Sequence, residues 1–226
     1  MRWVQLFIWG GLTWWAARED KRAALWPWVL SLGILLSMGT QLLLLADVGQ
    51  LHIGTAVPLH LCAMMGLLTV PMLLRPSRSL YDFSMFLGAP CAFLALCFPA
   101  IAGSRHPLLM ASAFFRLHVL ILCGPLFLHL RGFPWPSDYR PVFLCANGYL
   151  LLVATFNSLF DTNYMFLAKP PTGTPLEWLA RGGGVGYLYS LELLAMLILA
   201  LLGSFYKHFQ ENTAPFTFGR RVRIKG

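Results

Sequence analysis

Apolar runs of roughly 17 to 22 residues recur from one end of the chain to the other, separated by short polar intervals. At about 1.5 Å per residue, a helical run of that length covers a hydrocarbon layer of roughly 30 Å. The strict apolar–polar alternation that strands of a membrane barrel need is missing. The pattern therefore predicts an all-α, polytopic transmembrane helical bundle of about seven helices. Expected spans are 3–17, 24–46, 53–74, 82–102, 108–130, 141–160 and 184–206, with 207–226 as a basic cytoplasmic tail. Residues 1–226 read as one transmembrane domain, without internal repeat or soluble domain. The first span is the shortest, and Arg2 ahead of an apolar run also fits a signal peptide. Trp14-Trp15-Ala16-Ala17-Arg18 offers no convincing small-x-small cleavage site, so the run is expected to remain a helix.

Composition narrows the class. With 58% hydrophobic and 12% charged residues, the chain has too little charge to coat a water-soluble globule, and the bilayer serves as its solvent. The net charge of +8 sits at span borders rather than on a soluble basic domain, which argues against a nucleic-acid partner. It sets an orientation instead. Twelve Lys and Arg fall on one side (Arg18, Lys21, Arg22, Arg75, Arg78, Arg131, Arg140, Lys207, Arg220, Arg221, Arg223 and Lys225), and only Arg2, Arg105, Lys169 and Arg181 on the other. The excess of positive charge on cytoplasmic loops predicts the amino terminus outside and the carboxyl terminus in the cytoplasm. All five cysteines fall inside spans, so no disulfide framework is suggested. The long 161–183 interval, rich in Pro and Gly, is either a lid at the outer surface or an ordinary connector.

Polar side chains inside spans carry the candidate chemistry, because the bilayer excludes them unless they face protein or water. They are His60 and Cys62 in the third span, Arg116 and His118 in the fifth, and Glu192 in the seventh. Counted from the outer starts of those spans, Cys62, Arg116, His118 and Glu192 come out roughly 12 to 15 Å deep, so one shared layer is expected. Arg116 and Glu192 are the expected charge pair, serving as a structural clamp or binding an anionic group. Cys62 is either a small buried hydrophobe or a nucleophile whose proton His118 removes. His60 lies roughly 200° around the helix from Cys62 and should point elsewhere, which suits a substrate-binding role. His60 and His118 could instead ligate haem or, with Cys62, a metal. No recognised ligand spacing supports that, and neither cofactor nor metal is expected.

Several motifs carry a resemblance. Pro58-Leu59-His60-Leu61-Cys62, Phe86-Leu87-Gly88-Ala89-Pro90 through Cys97-Phe98-Pro99, Phe114-Phe115-Arg116-Leu117-His118, Asn163-Tyr164-Met165-Phe166-Leu167 and Tyr187-Leu188-Tyr189-Ser190-Leu191-Glu192 resemble, in order and spacing, the YwaF-type bacterial integral membrane proteins. The chain is also distantly similar to eukaryotic multispanning lipid acyltransferases with a membrane cysteine and histidine. The resemblance implies a multi-pass protein of a bacterial cytoplasmic membrane, with membrane lipids as partners. It further implies a lipid acyltransferase or acyl hydrolase in which Cys62 is the nucleophile and His118 the base; from their place in the spans, His60, Arg116 and Glu192 are expected to bind the substrate. Two other classes stay open. An accessory subunit of a larger membrane complex would tolerate loss of Cys62 and His118, whereas a small transporter or channel would respond to changes at Arg116 or Glu192.

Overall fold

The computed structural model describes residues 1–136 and 138–212, and its regular structure there is helical without any strand. The helices are α1 (Arg2–Ala17), α2 (Asp20–Asp47), α3 (Ile53–Ala56), α4 (Leu61–Leu74), α5 (Arg78–Phe83), α6 (Ala89–Cys97), α7 (Pro107–Leu130), α8 (Arg140–Phe160), α9 (Leu176–Leu179) and α10 (Gly183–Asn212). A π turn, Ser84–Gly88, fuses α5 and α6 into one pass. Five passes are long and apolar enough to cross a membrane: α2, α5–α6, α7, α8 and α10. Both α1 and α4 are shorter, at 16 and 14 residues, yet they run alongside them.

Contacts between distant loops fix an up-and-down course. At one end, hereafter the Met1 end, Arg2 donates to the Leu96 carbonyl at 2.9 Å, and Arg105 lies 3.8 Å from Asp47. At the opposite, Arg18 end, Arg131 donates to the Ala17 carbonyl at 3.1 Å and to Asp20 at 2.7 Å, and Arg78 donates to the Trp135 carbonyl at 2.8 Å. Each joins chain segments that only alternating passes bring together.

The expected continuous helix over 53–74 is broken. Pro58 has no N–H to donate and disfavours the helical region for the residue before it, so Val57 is extended (φ −76°, ψ 131°) and His60 follows at φ −65°, ψ 137° as the N-cap of α4. The expected 82–102 span ends at Cys97, just before Phe98-Pro99, and carries the π turn in its middle. Pro90 explains the turn. The Ala89 N–H bonds back five residues to the Ser84 carbonyl, and Pro90 offers no N–H for the Met85 carbonyl one step on. The Tyr206 hydroxyl donates to that carbonyl instead, at 3.0 Å. The last pass continues to Asn212, so residues 207–212 of the expected tail are helical, and 213–226 lie outside the described residues.

At the centre stands α7, the most buried of the long helices, packed against α1, α2, α4 and α6. Close approach of α4 to α7 requires two glycines. A Cβ on Gly66 would stand 3.3 Å from Leu117 Cδ1, and one on Gly124 would stand 2.6 Å from Thr69 Cγ2. Both α8 and α10 are peripheral and the least buried of the long helices, as expected of helices that meet lipid on most of their surface.

Candidate functional site: a capped polar end and a lateral groove

The two glycine contacts set the register of α4 on α7. Gly66 is level with Leu117 and Thr69 with Gly124, so the helices run parallel, and Cys62 lies about one turn nearer the Met1 end than His118. His118 is buried, and its Nδ1 meets the Phe114 carbonyl at 2.7 Å. A carbonyl only accepts, so Nδ1 carries the proton and Nε2 keeps its lone pair. Cys62 is a free, half-buried cysteine whose electrostatic neighbour is Cys91 on α6. No hydrogen bond joins Cys62 to His118 among the described residues.

The remaining polar residues do not gather into one layer. Arg116 donates from Nε to Ser37 Oγ at 2.8 Å on α2, and no ion pair joins it to Glu192 among the described residues. The expected Arg116–Glu192 pair is thus replaced by an arginine–serine contact, because α2 rather than α10 packs on that part of α7. Glu192 lies instead on a groove between α4, α8 and α10. His60 turns toward the loop after α8, where its Nδ1 accepts from the Met165 N–H at 3.2 Å and its ring lies 5.0 Å from Tyr164 and 5.3 Å from Phe166.

That loop is a built structure. Buried Asn157 near the end of α8 accepts from the Tyr164 N–H at 2.9 Å and the Thr162 hydroxyl at 2.8 Å, and donates to the Tyr164 carbonyl at 3.0 Å. The Tyr164 hydroxyl donates to the Ile53 carbonyl at 2.6 Å and accepts from the Val57 N–H at 3.1 Å, tying the loop to α3. Burial raises the pKa of this phenol, and the Val57 N–H acts in the opposite direction. Tyr149 and Tyr187 complete the cap by donating to the Leu59 and Phe166 carbonyls at 2.9 and 3.0 Å. Met165 and Phe166 both have positive φ, 57° and 58°, which side-chain-bearing residues hold only when their surroundings over-determine it.

The groove beside the cap has a volume of about 260 Å³ and an almost wholly apolar wall. It extends from Leu61 to Leu68 along α4 and from Glu192 to Leu199 along α10, about 10 Å in each case, and Met165 of the capping loop also lines it. From the sequence alone, neither Asn157 nor the cap is singled out. The available signal was a pair of asparagines, Asn157 and Asn163, just ahead of the aromatic Tyr164-Met165-Phe166. No group of three or more His, Cys, Asp or Glu side chains that could hold a metal occurs among the described residues.

Comparison with known proteins places the chain. It matches the model of the TMEM164 family over residues 2–203, nearly its whole length, and belongs to that family, a family of multispanning membrane proteins. Searches of curated proteins and of solved structures return no match.

Proposed function

We propose that this TMEM164-family protein is a lipid-acyl enzyme, with Met1 and the 161–182 loop on the outer side of the membrane. Cys62 is its nucleophile and His118 its general base. The observation that carries the reading is the commitment of His118 Nδ1–H to the Phe114 carbonyl, which leaves Nε2 as a proton acceptor inside the bundle, about one turn below a free cysteine on a parallel helix. His118 Nε2 takes the thiol proton and the thiolate attacks an ester carbonyl. The C–S bond forms as the C–O bond breaks, and His118 returns the proton to the departing alkoxide. An alcohol or water then attacks the thioester, its proton passing to His118; the C–S bond breaks and His118 returns the proton to the Cys62 thiolate, which gives transfer or hydrolysis respectively. The axial offset between the two residues leaves room for an ester carbonyl, and catalytic contacts that are long in the free protein tighten around substrate. The orientation rests on charge: among described residues the Arg18 end carries Arg18, Lys21, Arg22, Arg75, Arg78, Arg131, Arg140 and Lys207.

The test is intact-mass spectrometry of the full chain in lipid nanodiscs after exposure to an activated acyl ester, for wild type, Cys62→Ser and His118→Ala. The expected result is one acyl adduct on Cys62, absent in the serine variant and slowed in the alanine variant. An unmodified wild type across several acyl donors, or an adduct indifferent to His118, would overturn the reading.

A further inference from the structure

We propose that the groove between α4, α8 and α10 seats a single acyl chain of a membrane phospholipid, admitted sideways from the bilayer and closed at its Met1 end by Met165, whose backbone His60 latches in place. The inference deepens the lipid-acyl reading by giving the chain a seat beside the helix that carries Cys62.

Three observations select the occupant. First, the groove is continuous with the lipid-facing surface. Its walls α8 and α10 are the least buried long helices, and Leu151 and Leu197 on them are 70% and 55% exposed, so hydrocarbon is the medium at its mouth. Second, the lining is nearly all carbon, which offers water few partners and hydrocarbon many. Third, its size suits one chain. It runs about 10 Å along α4 and α10, a length that part of one extended acyl chain covers with its methylenes against the carbon walls.

The closing device follows from the cap. Met165 lines the groove while its backbone holds a positive φ, and its N–H is fixed on His60 Nδ1. The next residue, Phe166, shares the strained conformation and is held through its carbonyl by Tyr187. A strained pair fastened by one bond to α4's cap and one to α10 reverts to ordinary backbone when a fastening is lost, and Met165 then leaves the groove. The groups facing His60 are the Tyr164 and Phe166 rings and the Met165 N–H, so its bond to Met165 is the contact that a substitution removes.

The experiment uses the full chain in phosphatidylcholine nanodiscs containing a phosphatidylcholine with a mid-chain diazirine, photolysed and mapped by peptide mass spectrometry. Adducts should concentrate on Met64 and Ala146 of the groove over Leu151 and Leu197 of the open lipid face. Ala195→Trp, which fills the groove, should abolish labelling of Met64 while Leu151 labelling persists and reports that the chain is folded and inserted. His60→Ala should increase labelling of Leu61 at the closed end. Equal labelling of Met64 and Leu151 in the wild type, or Met64 labelling unchanged by Ala195→Trp, overturns the site; unchanged Leu61 labelling in His60→Ala overturns the latch. Cys62→Ser should label normally, so failure of the acyl chemistry and failure of the groove give different results.

Discussion

Replacing Asn157 by alanine should release the loop that caps the Met1 end without unfolding the bundle. The side chain makes three hydrogen bonds of 2.8 to 3.0 Å, two of them to the N–H and carbonyl of Tyr164, which is fully buried. Alanine leaves the Tyr164 N–H without its partner, the Tyr164 carbonyl with only the longer 3.4 Å bond from the Leu167 N–H, and the Thr162 hydroxyl without its acceptor; an unsatisfied buried polar group costs about 1 to 3 kcal/mol and each further lost hydrogen bond about 0.5 to 1.5 kcal/mol. Some of that is recovered as the loop shifts and admits water, so the local closing free energy should fall by roughly 2 to 4 kcal/mol. Hydrogen exchange at the Tyr164 and Met165 amides should then accelerate about 30- to 700-fold in nanodiscs, because each 1.4 kcal/mol is a factor of ten. Amides within α7, which lies outside the hydrophobic cluster that holds the loop, should keep their protection. Asn157→Asp keeps the oxygens that receive the Tyr164 N–H and the Thr162 hydroxyl and loses only the donor, so its acceleration should be smaller. Exchange in Asn157→Ala within twofold of wild type would refute the idea that this side chain holds the cap, as would equal acceleration throughout α7.

Three further outcomes follow from the same contacts. Tyr206→Phe removes the hydroxyl that donates to the Met85 carbonyl while keeping the aromatic stack on Trp135, and should cost about 1 to 2 kcal/mol in unfolding measured by denaturant titration in mixed micelles; an unchanged midpoint would show that the π turn satisfies that carbonyl by other means. Gly124→Ala should destabilise by about 1 to 3 kcal/mol because its Cβ would lie 2.6 Å from Thr69 Cγ2, whereas Gly10→Ala, with nothing within 4 Å, should be close to neutral in the same titration. The Arg140 side chain and backbone N–H hold the Asp138 carboxyl below its ordinary pKa, so its contribution to the loop before α8 is present above the ordinary aspartate range and is lost as pH falls through the lowered folded-state value; carboxyl NMR should show that low titration in wild type and a partial rise toward the ordinary range in Arg140→Gln, which keeps the backbone N–H.

The run lengths alone determined the helical membrane fold, because a bilayer demands roughly twenty apolar residues per crossing and satisfies no backbone hydrogen bond outside helix or closed barrel. The sequence also exposed the residues that hydrocarbon should reject, since a buried imidazole or guanidinium is costly wherever the helix turns. Their partners were decided only by tertiary packing. Residue counting placed Arg116 and Glu192 at matching depth, but depth is one coordinate of three, and the rotation of α7 toward α2 gave Arg116 to Ser37. The break at Pro58 was visible as a residue type, yet its consequence, His60 freed to hold the Met165 N–H, depended on a loop more than a hundred residues away. The lateral groove left no periodic mark at all: a helix meeting lipid and a helix lining a groove carry the same apolar surface, and only the spacing of α4, α8 and α10 separates them.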